Sequence, residues 1–215
     1  MYWLGPFEYK SKQALRDELK SYLRTAPLGI VSDKLAMQKL CLLLALHPET
    51  QRKVGTGVDY FRIERNALGS GRCIRLVRND GSEDTFSYKR CITRAPQSPH
   101  GKVCEALRFT VRSQLKAFRD SVSMPAKCAI SGSDIVHLND LHIDHEPPFC
   151  HLLELFSQHH RIDLSLLETV GNGETLALVD IDVSRAFQEF HREHAHLQPS
   201  RKDANVEKGG RRTLL

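Results

Sequence analysis

The spacing of apolar residues predicts two helices near the start of the chain. After Ser11, leucines recur every four residues in KQALRDELKSYL, which predicts an amphipathic helix with Ser11 as its N-cap. A second helix, KLAMQKLCLLLALH, is predicted to be capped by Ser32-Asp33. It is predicted to stop before Pro48, because the residue before a proline disfavours helical backbone angles. Its apolar run is too short to span a bilayer and is expected in a core.

The pattern beyond the second helix predicts a small antiparallel sheet. Residues 58–63 and 73–77 are rich in apolar and β-branched side chains and are predicted to be strands. Asn79-Asp80-Gly81 is typical of a tight turn, and residues 85–88 are predicted to form a third strand. These elements together indicate an α+β module of two helices and a short sheet.

A polar segment with two prolines, residues 94–101, is the best candidate for a domain boundary. Residues 1–95 are therefore interpreted as one module, residues 96–122 as a linker with a connecting helix, and residues 123–215 as a second domain. The connecting helix is expected to be continuous over residues 102–122, because four apolar residues share one face. Those residues are Leu107, Val111, Leu115 and Phe118.

The last third of the chain begins with a predicted short strand at residues 141–143, which ends at Asp144-His145. Pro147-Pro148 then forces a turn, and helices are predicted at residues 149–158 and 183–194. A short basic helix is predicted around residues 203–208. This domain is therefore expected to be rich in helices.

Composition limits the classes of function. The 215 residues carry a net charge of +5, which suits a polyanionic partner without establishing one. Six scattered cysteines contain no C-x-x-C pair, so neither a zinc knuckle nor a thioredoxin-like pair is indicated. The first residues lack the pattern of a signal peptide, and we expect a cytoplasmic protein with reduced thiols and no membrane partner.

Histidine is distributed unevenly along the chain. Of 11 histidines, only His47 and His100 precede residue 130. Because histidine titrates near neutral pH and binds metals, chemistry is expected in the C-terminal half.

Three segments in that half resemble the HNH (ββα-metal) nucleases. The segment IDHEPP, in which His145 follows Asp144, resembles the first strand of the family, whose usual form is D-H-x-x-P. The segment from His196 to Asn205-Val-Glu-Lys-Gly is similar to the second half, where N-x-x-K opens a helix. CAISG, beginning at Cys128, is similar to the C-x-x-(S/T)-G lead-in.

The resemblance implies a helix-rich ββα-metal fold and a role for each matched residue. Asp144 and Asn205 would supply oxygen ligands to Mg²⁺ or Mn²⁺, a cation that binds through few protein ligands and keeps its waters. His145 would be the general base that deprotonates water, and His196 would brace the ββα loop. The basic residues proposed to contact nucleic acid are Lys208, Arg201, Lys202, Arg211 and Arg212.

Two departures from the family pattern affect these expectations. Zinc-bearing relatives carry two cysteine pairs, but here Ser131, Arg201 and Ala204 stand at three of the four positions, so no structural zinc is expected. The gap between His145 and Asn205 is also long for this motif, and residues 152–194 are interpreted as an insertion of helices.

The N-terminal module resembles the DCL domain, named for "defective chloroplasts and leaves". The resemblance runs from Phe7 to Ile92, and its most specific segment is DGSEDTFSYKRCI. Plant members of that family are implicated in ribosomal RNA maturation, and the domain occurs in plant RNA polymerase subunits. The resemblance implies a nucleic-acid-binding or targeting module without a reaction of its own.

The sequence therefore predicts an HNH endonuclease that hydrolyses DNA, with RNA as a possible substrate. The alternative is a non-catalytic RNA- or DNA-binding factor whose HNH half is degenerate. Simpler interpretations also stay open: Asp144-His145 could form a surface turn, and Asn205 could cap a helix. His191 and His194 could bind metal on one helix face, although core packing is the simpler interpretation. One such site cuts one strand, so a double-strand break would need a homodimer or two successive nicks.

Overall fold

The computed structural model describes residues 1–66 and 71–209, with the backbone alone at Glu174. The chain divides into two compact units, Met1–Pro96 and Gln97–Leu215. Both units mix helices with small antiparallel sheets, so the fold class is α+β. No helix within the described ranges combines the length and the apolar content that crossing a bilayer requires.

The N-terminal unit is a four-stranded antiparallel sheet with helices, preceded by a hairpin. Its strands are β1 (Tyr2–Leu4), β2 (Phe7–Tyr9), β3 (Gly29–Ile30), β4 (Val58–Arg65), β5 (Arg72–Arg78) and β6 (Glu83–Phe86). Its helices are α1 (Lys12–Thr25), α2 (Lys34–Ala45), α3 (Thr50–Val54) and α4 (Tyr88–Thr93). The sheet order is β3-β4-β5-β6, and β1 pairs with β2.

Both predicted caps are present in this unit. The Ser11 hydroxyl accepts a hydrogen bond from the Ala14 amide at 3.1 Å, and the Asp33 carboxylate accepts bonds from the amides of Leu35 and Ala36. These bonds satisfy amides at the helix N-termini that have no partner within the helix. The buried faces of α1 and α2 share one apolar core with the sheet.

The predicted strand over residues 85–88 is corrected. Strand β6 ends at Phe86, and Tyr88 begins helix α4. Cys91 and Ile92 are fully buried at positions that helical spacing from Tyr88 brings to one face. The apolar residues after Phe86 therefore reach the core as a helix and not as an extension of the sheet.

The C-terminal unit contains helices and short strand pairs. Its helices are α5 (Pro99–Thr110), α6 (Arg112–Ser121), α7 (Phe149–His160), α8 (Ile181–His194) and α9 (Lys202–Lys208). Its strands are β7 (Ala126–Lys127), β8 (Asp134–Ile135), β9 (Leu141–Glu146), β10 (Thr169–Val170), β11 (Ala177–Leu178) and β12 (His196–Arg201), with single 3₁₀ turns at Leu164–Leu166 and Gly173–Thr175. Antiparallel pairs join β7 to β8, β9 to β12 and β10 to β11.

The single helix expected over residues 102–122 is in fact two helices that meet at Val111. The backbone there has φ −98° and ψ 6°, and the Val111 side chain is fully buried. Helix α5 packs against α8 and β11, whereas α6 packs against β9 and β12. One straight helix could not serve both surfaces, so the apolar stripe changes direction at the break.

Candidate functional site

The site is built on a ββα arrangement in the C-terminal unit. Strands β9 and β12 pair antiparallel, with Asp144 opposite Gln198 and His145 opposite Leu197, and α9 follows β12 directly. Helices α7 and α8 lie between the two strands in the sequence. The long gap noted in the sequence is thus occupied by folded elements, and the strands pair across it.

A pocket of about 230 Å³ lies between β9 and α9 and brings three of the predicted site residues together. Asp144, His145 and Asn205 all line it. The other lining residues are Arg108, Ile143, Pro148, Phe149, Cys150 and Gly209. The carboxylate, imidazole and amide named in the sequence analysis therefore border one space.

The carboxylate of Asp144 is held in place through one of its two oxygens. Oδ2 accepts hydrogen bonds from Gln198 Nε2 at 2.8 Å and from Lys208 Nζ at 2.7 Å. Within residues 1–66 and 71–209, Oδ1 accepts no hydrogen bond, and the whole residue is only 5% exposed. One oxygen is thus fixed by protein donors, and the other is left for a ligand of the pocket.

Lys208 is buried among acceptors of the site itself. Its ammonium also donates to Glu146 Oε2 at 2.8 Å and lies 3.3 Å from the carbonyl oxygen of His145. Burial alone would lower the pKa of Lys208, but the hydrogen bonds to Asp144 and Glu146 outweigh it and raise the pKa above its ordinary value. Lys208, which was predicted to contact phosphate, is therefore a cation that already pairs with the carboxylates of Asp144 and Glu146.

The imidazole of His145 points to a second histidine. Its Nε2 lies 2.9 Å from Nε2 of His191, and its ring packs edge-on against Phe149 at a centroid distance of 5.3 Å. Burial, with a smaller contribution from His191, lowers the pKa of His145 to about 4. The ring is consequently neutral at pH 7 and can accept a proton.

His191 and Gln114 contribute to this environment through contacts that the sequence did not indicate. His191 on α8 is 1% exposed, and its Nδ1 lies 2.8 Å from Oε1 of Gln114 on α6. Burial also lowers the pKa of His191 to about 4. Core packing and metal binding were both open interpretations of His191 from the sequence. Gln114 lies 77 positions away, so no local pattern links the two residues.

Arg108 is a further lining residue that the sequence analysis missed. Its guanidinium carbon lies 4.6 Å from the centre of the Phe149 ring, and the side chain is exposed. No carboxylate in the described ranges pairs with it. A stacked guanidinium at the mouth of a pocket can bind an anion such as phosphate.

Three other predicted residues do not line this pocket. His196 is exposed at the start of β12, opposite Glu146. Arg201 binds Asp203 through two hydrogen bonds of 3.0 and 2.8 Å, and Lys202 is exposed at the start of α9. Arg211 and Arg212 lie outside the described residues.

The residues of the pocket offer few but suitable donors for the expected divalent ion. Asp144 and Asn205 both line it, and in the described part of the chain neither Asp144 Oδ1 nor the Asn205 side-chain amide has a hydrogen-bond partner. Two such oxygens fit a hard cation that retains water. Among the described residues, no group of three or more His, Cys, Asp and Glu side chains could hold a metal ion.

The lead-in segment is anchored by a buried cysteine. Cys128 is 2% exposed, and its Sγ accepts hydrogen bonds from the backbone amides of Ser131 and Arg201 at 3.3 and 3.1 Å. Burial works to raise the pKa of the Cys128 thiol, but these amide donors lower it below its ordinary value. Cys128 thus ties the lead-in turn to the end of β12.

Comparison with known proteins assigns the class of the N-terminal region. Residues 13–92 match the family model described as "Protein of unknown function (DUF3223)". Curated relatives include the DCL proteins, so the prediction of a DCL-like N-terminal region is confirmed. The family match lies within the N-terminal unit.

Individual relatives come from plants. Protein EMBRYO DEFECTIVE 514 of Arabidopsis thaliana is 31% identical over 41% of this chain and 45% of its own length. The subunit 1 of DNA-directed RNA polymerase IV of Arabidopsis thaliana is 29% identical over 41% of this chain and 6% of its own length. The chloroplastic DCL protein of Solanum lycopersicum is 43% identical over 23% of both chains.

The chain spans less than half the length of these curated relatives. Among solved structures, an uncharacterized protein from Rhodospirillum rubrum is 31% identical, with 42% of this chain and 86% of that chain covered and a TM-score of 0.39.

Proposed function

We propose that the C-terminal unit is a metal-dependent endonuclease of the HNH (ββα-metal) type. The observation that carries the proposal is that Asp144, His145 and Asn205 line one pocket between β9 and α9. Phosphodiester hydrolysis needs a base for water, charge neutralisation at the phosphate and help for the leaving oxygen. The residues at this pocket can supply or hold each of these.

Asp144 and Asn205 would hold the divalent ion, Mg²⁺ or Mn²⁺, through one carboxylate and one amide oxygen. When bound, such an ion neutralises charge on the phosphate and stabilises the leaving oxygen. The two donors on Asp144 Oδ2, Gln198 and Lys208, fix the carboxylate while leaving Oδ1 for this purpose. The chain therefore prepares the carboxylate before any ligand arrives.

His145 would accept the proton of the attacking water. Water oxygen bonds to phosphorus, its proton passes to the imidazole, and the bond to the 3′-oxygen breaks, leaving a 5′-phosphate; the 3′-oxygen takes its proton from solvent. A pKa of about 4 keeps His145 neutral at pH 7, so that it can accept a proton from water. Its driving force for that proton transfer is smaller than that of an imidazole at its ordinary pKa. Arg108 would hold a non-reacting phosphate oxygen at the pocket mouth.

The N-terminal unit is proposed to bind or target nucleic acid. Two of its relatives are named as subunits of DNA-directed RNA polymerases IV and V, which act on nucleic acid. The net charge of the whole chain, +5, agrees with a polyanionic partner. We take DNA as the substrate and keep RNA as a second substrate to be assayed in parallel.

The test is a nicking assay with the full chain on supercoiled plasmid. Wild type is expected to convert plasmid to the open circle with Mg²⁺ or Mn²⁺, to stop in EDTA, and to resume when Mg²⁺ is restored. His145→Ala is expected to lower the nicking rate at least about a hundredfold while DNA binding persists. His142→Ala is the matched control, because His142 is on the same strand and does not line the pocket.

Nicking that survives His145→Ala would remove the assignment of the base. A wild-type chain that binds DNA or RNA with a strong salt dependence and never nicks would establish the alternative, a non-catalytic binding factor. Lys208 on Asp144 Oδ2 gives that alternative some basis, because an ammonium already balances the carboxylate.

A further inference from the structure

A chain of hydrogen-bonded side chains runs from helix α6 through the buried His191 of helix α8 to the buried His145. Gln114 Oε1 lies 2.8 Å from His191 Nδ1, and His191 Nε2 lies 2.9 Å from His145 Nε2. Resting on the proposed function, we propose that His191 and Gln114 are positioning residues that fix the tautomer of His145, so that its Nδ1 carries the lone pair that takes the proton from water.

The orientation of Gln114 determines the first proton in this chain. Gln114 Nε2 donates to the backbone carbonyl of Gln188 at 2.8 Å, and a carbonyl oxygen can only accept. The amide nitrogen must therefore face Gln188, which leaves Oε1 facing His191. Because Oε1 also only accepts, Nδ1 of His191 must carry a hydrogen.

The position of the second proton, between the two Nε2 atoms, follows from the burial of His191. The two Nε2 atoms are 2.9 Å apart, so one donates and the other accepts. His191 is 1% exposed, and its hydrogen-bond partners are a neutral amide and an imidazole, so a charged His191 would lack a counter-ion. A neutral His191 with hydrogen on Nδ1 must accept at Nε2, and His145 must donate from Nε2.

The remaining nitrogen of His145 is then the basic one. Nδ1 accepts no hydrogen bond from the described residues, and His145 lines the pocket. A hydrogen on Nε2 of a neutral imidazole leaves Nδ1 without one. The fixed tautomer thus gives His145 a single unprotonated nitrogen, and it is the one not used by His191.

The scaffold of this relay depends on the break between α5 and α6. Gln188 Nε2 donates to the carbonyl of Thr110, the last residue of α5, at 3.0 Å. Gln114 returns a bond to the Gln188 carbonyl, so the two glutamines lock α8 against the break. His191 lies one turn beyond Gln188 on α8, so this reciprocal contact fixes its position along the helix relative to α6.

The first measurement is ¹⁵N nuclear magnetic resonance of the histidine rings in the full chain at neutral pH without divalent ions. We expect His145 to show a pyrrole-like Nε2 and a pyridine-like Nδ1, and His191 to show the reverse. The signals are assigned from spectra of His145→Gln and His191→Gln. A protonated Nδ1 on His145 would overturn the proposal, whether or not the wild type nicks DNA.

The second measurement compares two substitutions of His191. His191→Phe retains a ring of similar size without an acceptor, and we expect a tautomer mixture at His145 with kcat lowered about tenfold to a hundredfold and KM unchanged. His191→Gln retains an acceptor and is expected to restore the tautomer and most of kcat. Equal losses in both variants, with the His145 tautomer unchanged, would show a packing role only.

The matched control is His194→Phe on the same helix. His194 stacks on Phe190 at 4.1 Å and does not contact His145, so its replacement should leave the tautomer and kcat unchanged. A wild type that shows the expected tautomers and no nicking would uphold the relay and refute the nuclease. Nicking by a wild type in which His145 has the opposite tautomer would uphold the nuclease and refute the relay.

Discussion

The Lys208 ammonium lies 2.7 Å from Oδ2 of Asp144, and both side chains are more than nine-tenths buried. A buried charge that loses its partner is costly, because the remaining charge stays desolvated. Lys208→Met should therefore lower the free energy of unfolding by about 3 kcal/mol. Urea unfolding of the full chain, followed by circular dichroism, measures the effect.

The control for this prediction is the double variant Asp144→Asn/Lys208→Met. It removes both charges, so its stability should recover to within about 1 kcal/mol of the wild type. Strictly additive effects of the two single substitutions would contradict the coupling that the contact implies.

Arg108 provides a test of phosphate binding at the pocket. Arg108→Ala should weaken binding of a DNA duplex in EDTA and reduce the slope of log K against log salt by about one. Arg112→Ala is the matched control, because Arg112 stacks on Phe109 at 4.2 Å but does not line the pocket. Equal effects of the two substitutions would show that Arg108 has no special role.

Asn205 should govern the affinity for the divalent ion. Asn205→Ala removes the amide oxygen from the pocket, so the Mg²⁺ concentration for half-maximal nicking should rise by roughly tenfold or more. Val206→Ala, the next residue on α9 and 71% exposed, should leave the Mg²⁺ requirement unchanged. An unchanged requirement in Asn205→Ala would remove this residue from the metal site.

The N-terminal unit should lose stability as the pH falls from about 6.5 to about 4. Burial, with a smaller contribution from Lys53, lowers the pKa of His47 from 6.5 to about 4 in the folded state. Between these pH values His47 is protonated in the unfolded chain and neutral in the folded chain. The free energy of unfolding therefore falls as the pH falls, by roughly 2–3 kcal/mol in total.

Fluorescence of Trp3, the single tryptophan, can follow the unfolding of this unit in urea at each pH. His47 Nδ1 accepts a hydrogen bond from the Glu49 backbone amide at 3.1 Å. His47→Asn keeps an acceptor for that amide and should flatten the pH dependence of the stability. A slope that persists in His47→Asn would assign the effect to other groups.

Local elements were predicted well because their determinants are local. Ser11 and Asp33 satisfy amides only two or three residues away, so the starts of α1 and α2 follow from short segments of sequence. The break at Val111 was not predicted, because it depends on where α5 and α6 find separate packing partners. The strand ending at Phe86 was overextended for the same reason: burial of Cys91 and Ile92 decides the helix.

The candidate site was predicted in its parts that belong to short motifs. Asp144, His145 and Asn205 were identified by resemblance, and the structure brings them to one pocket. Their proposed roles stay predictions. Gln114 and His191 could not be found this way, because a glutamine and a histidine 77 positions apart meet only after α6 and α8 pack.

The pairing of β9 with β12 also sets the order in which the chain can acquire its site. Residues 141–146 leave the ribosome about fifty positions before the strand that completes them, whereas the N-terminal unit lies entirely within the first 96 residues. A nascent chain that stops short of His196 has neither the second strand nor α9. The pocket therefore stays unformed through most of translation, and a truncated product would carry the DCL-like region without the pocket lined by Asp144 and His145.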